Sequence, residues 1–320
     1  MEELSRLESM RGERNDVPDS ESPAASRQTA TKAGAVKTIP LPGGAEMRFC
    51  WCPAGTFTMG SPESEEGRCG DEWQHGVTLT QGFWLAETPV TQGQWKRLMD
   101  GETVLDLARK ALRDDTLYHC FSDGETTIRD VLGRPRDGNP ADICGEVKDD
   151  APVYWVSWTD AVTFCRRLTA AEREAGRLPD GYEYRLPTES EWEYACRAGT
   201  TGAYGGTGNL DEMGWCKGNS DGRTHPVKQK KPNAWGLYDM HGNVWEWCAD
   251  WYDDYPPGSV ADPTGPSDGD DGDSRVNRGG SWSDDGMRHC RSAARFGDEP
   301  GYRDDDLGFR PALAPSHRTE

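Results

Sequence analysis

The sequence predicts a single loop-rich domain of short strands and few helices, and three observations carry that expectation. Only 34% of the 320 residues are hydrophobic while glycine (38) and proline (21) are plentiful, a balance that disfavours long regular elements. Thirteen tryptophans nonetheless provide enough large apolar groups to anchor a sizeable core. Beyond Gly199 the chain is rich in Gly, Asn and Trp with few periodic runs, so short strands and long ordered loops are expected to the end.

Residues 1 to about 36 are polar and poor in large apolar groups, and read as a disordered tail; residues 37–320 form the domain. "MRFCWCPAGTFTMG" alternates Met47, Phe49 and Trp51, then Phe57 and Met59 after a Pro-Ala-Gly turn, which reads as a hairpin. "VTLTQGFWLAETPVT" predicts a second pair of strands around Gln81-Gly82. Thr91 with Gln94 forms a capping box, and Trp95, Leu98 and Met99 follow at helical spacing. Residues 101–151 read as an insertion that opens with a short amphipathic helix carrying Val104, Leu105, Leu107, Ala108 and Leu112. A helix with Ala161, Val162, Cys165 and Leu168 on one side follows, then one capped by Thr188 and Glu191, with Trp192 and Ala195 facing the core.

Charge narrows the function. The formal net charge is −20, so affinity for nucleic acid or an anionic membrane is not expected, and a cationic or neutral partner is. The charged N-terminus has no apolar signal-peptide core and no segment is apolar enough to span a bilayer, so the cytoplasm is the expected compartment. The ten cysteines contain no CxxC pair, and isolated reduced thiols are expected. The acidic loop 262–275 lacks the closing glutamate of a calcium-binding EF-hand and reads as a surface loop. "GNSDG" (218–222) matches GxSxG by chance, lacking the strand and helix a nucleophile elbow needs.

Three blocks carry a family resemblance: "RLPTESEWEYACRAGT" (185–200), "NAWGLYDMHGNVWEWCADWY" (233–252) and "RGGSW…CRSAAR…GFRPAL" (278–313). With "GTFTMGS" and "ETPVTQGQW" upstream, the chain resembles the formylglycine-generating-enzyme/sulfatase-modifying-factor family over roughly residues 38–313. The resemblance implies an α+β, C-type-lectin-like fold with short twisted sheets, few helices and much ordered loop. It also implies structural calcium, with Asn243 and Glu246 as the matching side chains and Asn219 serving another site.

The oxidases of this family carry two cysteines, five residues apart, just after "RGGS[WY]", whose thiolates hold Cu(I) and convert a substrate cysteine to formylglycine. Here Ser283, Asp284 and Asp285 follow directly, and Cys290 stands alone outside the pair's positions. Carboxylate oxygen is a poor ligand for soft Cu(I), so no copper and no oxidase activity are expected. The six histidines form no cluster like that of the sulfoxide-forming branch.

The chain looks most like the variable proteins of diversity-generating retroelements, which use this scaffold to present a rewritten C-terminal segment. Adenine mutagenesis of AAY codons yields a limited set of residues. Ser283, Asp284, Asp285, Arg288, His289, Phe296, Gly297, Asp298, Gly301, Tyr302, Asp304, Asp305 and Asp306 all fall within it. Met287 and Glu299 do not, and must be template-encoded. The expected function is therefore non-catalytic ligand binding by residues 283–306, with aromatic anchors and an acidic surface that fits a protein or other macromolecule bearing cationic or donor-rich groups.

Overall fold

A computed structural model describes residues 31–115, 127, 130, 138–268 and 273–316. Among the described residues the chain forms three sheets. The first joins β1 (Val36–Pro40), β2 (Glu46–Cys52), β5 (Phe83–Ala86), β12 (Ala312–Pro315) and β6 (Tyr182–Arg185), in that order and all antiparallel. The second runs β10 (Arg295–Asp298), β9 (Arg275–Arg278), β7 (Trp245–Trp251), β11 (Leu307–Gly308). The third is β3 (Gly55–Met59), β4 (His75–Leu79), β8 (Val260–Ala261). This α+β arrangement of short sheets and few helices is the C-type-lectin-like architecture expected from the sequence. No helix among the described residues is long and apolar enough to cross a membrane.

The hairpin read from "MRFCWCPAGTFTMG" is corrected: β2 and β3 do not pair with one another. The two strands expected around Gln81-Gly82 are β4 and β5, and they lie in different sheets. The reason lies in burial. The β2 pattern is not a simple alternation, because Phe49 enters one apolar cluster while Cys50 and Cys52 enter another. A strand covered on both faces belongs in the middle of a sheet between two layers. Cys50 and Cys52 are both buried unbonded thiols. Order also begins earlier than the tail boundary near residue 36: Gly34 N–H donates to the Trp51 carbonyl, and β1 starts at Val36. The remainder of the expected tail, residues 1–30, lies outside the described residues.

The helices start where their caps predict. α1 (Gln92–Leu98), α2 (Val104–Ala111), α3 (Trp158–Glu174) and α4 (Glu189–Arg197) each open on a reciprocal capping box, at Thr91/Gln94, Thr103/Asp106, Ser157/Asp160 and Thr188/Glu191. Each such cap contributes about 1 kcal/mol. Two short turns, α5 (Leu210–Met213) and α6 (Gly286–His289), complete the set. In the first core Trp95 of α1 stacks on Phe164 of α3 at 5.7 Å, and Phe309 meets Phe164 edge-on at 5.3 Å. The helix that opens the 101–151 segment joins this core through Val104, Leu107, Ala108 and Ala111.

α4 differs from its expectation. Its whole circumference is buried, including Glu189, Glu191, Glu193 and Arg197, and not only the Trp192–Ala195 face. Arginines of the C-terminal segment meet these acids, and they position the surface described next.

Candidate binding surface

The segment 278–306 starts from a buried anchor. Arg278, at the end of β9, is fully buried; it pairs with Glu193 and Glu189 of α4 and donates to the carbonyls of Ser292 (2.9 Å) and Ala293 (3.0 Å). Gly280 follows at φ +68°, where a Cβ would stand 2.8 Å from the Cys290 sulfur. Only glycine allows that approach, so the turn locks against the 290 region. Cys290 is buried and its thiol lies 3.9 Å from the Ser281 carbonyl. Arg291 and Arg295 tie down the stretch after it. Arg291 pairs with Glu72 and Glu65, and Arg295 grips both oxygens of Glu189 at 2.8 Å. The backbone between these anchors is held at both ends.

On this frame six of the expected residues converge. Ser281 N–H and hydroxyl reach Asp284 Oδ2 (3.0 and 2.6 Å), and His289 Nδ1 lies 3.0 Å from Asp284 Oδ1. Although burial works against it, hydrogen bonds from His289 and Ser281 hold Asp284 below the usual carboxylate range. Asp306 Oδ2 lies 2.7 Å from Ser281 Oγ and 2.9 Å from Ser283 Oγ. Oxygens of Asp304, Asp305 and Asp306 come within 4.8 Å of one another. Burial and mutual repulsion push Asp305 up to about 7, and Asp304 and Asp306 also rise. The Ser281 and Ser283 hydroxyls both donate to Asp306 Oδ2, and the Ser281 bond partly offsets the burial that raises this carboxyl.

Phe296, on the edge strand β10, is 52% exposed and lies 6.1 Å from Trp245, which in turn lies 6.2 Å from His289. Met287 is also exposed, as are Asp285 and Arg288 on α6. The Asp285 carboxylate caps that turn by accepting from Met287 N–H at 3.1 Å. Sequence reasoning missed Trp245, which joins the acidic and aromatic parts and hydrogen-bonds Asp284. Trp247, two residues on in β7, is fully buried and donates to the Val156 carbonyl at 2.8 Å.

Two expected binding residues are corrected. Asp298 is buried and accepts from Asn277 Nδ2 at 2.8 Å. Tyr302 sits in the first core with its hydroxyl donating to Asp304 Oδ2 at 2.6 Å. Both face inward and hold the frame. Ser220 of "GNSDG" is likewise buried, its hydroxyl donating to the Trp282 carbonyl at 2.8 Å.

The residues matched to calcium do not fit a cation. Arg310 donates to both oxygens of Glu246, at 2.6 Å each, and Trp192 Nε1 adds a third bond at 2.7 Å. Asn243 Oδ1 accepts from His225 N–H at 3.0 Å, and Asn219 Oδ1 accepts from Cys216 N–H at 2.9 Å. Their oxygens already serve N–H donors, one of them a guanidinium. The Cys290 thiol is buried, and burial pushes it well above the usual thiol range.

Comparison with known proteins shows a family and a fold. The sulfatase-modifying factor enzyme 1-like domain matches residues 40–315. The formylglycine-generating enzyme of Streptomyces coelicolor is 33% identical, over 81% of this chain and 87% of its own length. The inactive C-alpha-formylglycine-generating enzyme 2 of Mus musculus is 38% identical, over 54% of this chain and 52% of its own. The structure of Treponema denticola variable protein 1 superposes with a TM-score of 0.66 at 29% identity, over 88% of this chain and 99% of that one. A family match over residues 40–315 and a relative 33% identical over most of both chains show that this chain belongs to the sulfatase-modifying factor family.

Proposed function

We propose that this chain is a non-catalytic binding protein that presents residues 283–306 to a partner bearing cationic or donor-rich groups. The observation that carries the reading is the crowding of Asp304, Asp305 and Asp306 beside Asp284, next to exposed Phe296 and Met287. Carboxyls that repel one another are relieved when a cation enters among them. An adjacent exposed aromatic gives such a partner apolar area to cover. The structural likeness to a variable protein supports a scaffold role.

Selection of the chain against a displayed random-peptide library tests this. Binders rich in Lys and Arg are expected, lost when Asp304, Asp305 and Asp306 are changed together to Asn and weakened by Phe296→Ala. Binders indifferent to both changes overturn it. The retroelement-diversified version further requires a reverse-transcriptase gene and an adenine-rich near-copy of this coding segment beside the gene.

Identity of 33% to a formylglycine-generating enzyme favours a second reading, an oxidase acting on a substrate cysteine. It requires Cu(I) bound by thiolate. Titration of the reduced protein with Cu(I), with mass spectrometry of a cysteine-containing peptide, separates the two. Tight copper and loss of the peptide thiol would establish the oxidase; neither is expected.

A further inference from the structure

A second site lies apart from the 283–306 acids. A cavity of about 470 Å³ is enclosed by the start of α4, the end of β7 and the loop 253–266. That volume lies in the range of small-molecule pockets, which run from about 300 to 1,000 Å³. Its apolar wall includes Met59, Trp251, Val260 and Pro263. The acidic loop read from sequence as solvated surface thus begins as a pocket wall. Asp262 is fixed there by Thr80, whose backbone N–H donates to its carboxylate at 2.8 Å.

Asp250 supplies the polar feature. It lines the cavity yet is only 4% exposed. Its Oδ2 accepts from Glu189 N–H at 2.9 Å. Among the described residues nothing hydrogen-bonds Oδ1. The backbone above Oδ1 is Gly265, at φ +72°, where a Cβ would stand 3.0 Å from the Asp250 Cβ and 3.4 Å from Oδ1. Glycine there leaves the carboxyl uncovered.

The cavity wall is mostly acidic, with His75 also on it. Glu189, Asp250, Asp253, Asp254 and Asp262 line it against a single guanidinium, Arg295, which is already committed to Glu189 through two 2.8 Å bonds. We propose that this cavity binds a small primary ammonium compound with an apolar body, its N–H groups donating to Asp250 Oδ1 and its body lying on Met59, Trp251 and Val260. Burial first, and then Glu189, raise Asp250 to about 8, so the empty site holds a neutral acid near pH 7. An ammonium beside it favours the ionised form, and the displaced proton passes to the buffer.

Phenethylamine is a suitable probe, with 2-phenylethanol and phenylacetate as neutral and anionic controls of the same shape, each titrated into the full chain by calorimetry and ligand-observed NMR. Saturable amine binding is expected in the millimolar range or tighter, at least tenfold stronger than either control. Asp250→Asn, which keeps the acceptor for Glu189 N–H, is expected to weaken it at least tenfold. Val260→Trp, which fills the cavity, is expected to abolish it, with thermal melting confirming that both variants fold. Equal binding of the alcohol, amine binding that survives either substitution, or no saturable binding up to about 10 mM overturns the proposal. Loss of peptide binding by the Asp304–Asp306 triple variant leaves this result untouched, so the two readings fail separately.

Discussion

Glu246 and Arg310 face one another in the core through two parallel hydrogen bonds of 2.6 Å, Nε to Oε2 and Nη2 to Oε1. Arg310 also donates to the carbonyls of Ala86 (3.1 Å) and Tyr238 (2.9 Å), so one guanidinium ties β7, β5 and the 238 loop together. This fork occupies both oxygens of the carboxylate that the family resemblance matched to calcium.

Two outcomes follow from that pairing. Arg310→Leu leaves a buried carboxylate without its partner and is expected to lower the free energy of unfolding by about 3–5 kcal/mol, measured by urea denaturation. Millimolar calcium is expected to leave the melting temperature of the wild-type chain unchanged, and chelator likewise. A calcium-dependent rise of several degrees would show that Glu246 exchanges its guanidinium for the ion.

Inward and outward positions of the presented segment are expected to separate cleanly on substitution. Phe296→Ala removes an exposed ring and should change stability by no more than about 0.5 kcal/mol. Tyr302→Ala empties a core position and leaves Asp304 without its phenol donor, and should cost about 3–5 kcal/mol. Thermal melting of the two variants side by side checks the contrast. Equal costs would mean that the segment is structural throughout.

Much of this architecture was legible in the sequence, for identifiable reasons. The capping boxes at Thr91 and Thr188 are local signals, set by side chains three residues apart, and each marks a helix start as expected. Strand pairing was not legible, because β2 and β5 meet across some thirty residues of chain and nothing local records it. The burial of Glu189 and Glu193 escaped for the same reason: their partners, Arg278 and Arg295, lie about a hundred residues away. The acidic run 304–306 and the exposed Phe296 could be picked out by residue type. Asp298 and Tyr302 could not be separated from them, because residue type does not record which way a loop side chain turns.

Asp250 makes the stability depend on pH with an unusual sign. Its carboxyl titrates near 8 in the folded chain, raised by burial and by Glu189, against 3.8 for an ordinary aspartate. The unfolded chain therefore releases this proton at lower pH than the folded one. The contribution of Asp250 is most favourable below about pH 4 and is lost as pH rises through 8. Asp250→Asn removes the ionisation while keeping the acceptor for Glu189 N–H. The variant is expected to be more stable than wild type at pH 8, with the advantage shrinking toward pH 5, in parallel urea titrations. A variant less stable at pH 8 would mean that the carboxylate is ionised and paired.

His241 produces the opposite dependence. Its ring is fully buried, with Nδ1 2.8 Å from the Cys290 carbonyl and Nε2 2.9 Å from Gly205 N–H. A carbonyl can only accept and an amide can only donate, so the ring is neutral with its proton on Nδ1. Protonating Nε2 would break the Gly205 bond and place a charge in the core; burial accordingly holds the ring down at about 4, against 6.5 in a free histidine. The unfolded chain binds the proton first as pH falls, so stability is whole above pH 6.5 and declines between 6.5 and 4, by about 3 kcal/mol across the window. His241→Gln retains one donor and one acceptor but does not titrate. Its urea midpoint is expected to be lower than wild type at pH 7 and to fall less steeply toward pH 4. Because His241 holds the carbonyl of Cys290, the wild-type loss is expected to show first as faster amide exchange in residues 286–292, ahead of global unfolding. Equal pH slopes in the two proteins would mean that the ring is protonated in the folded state.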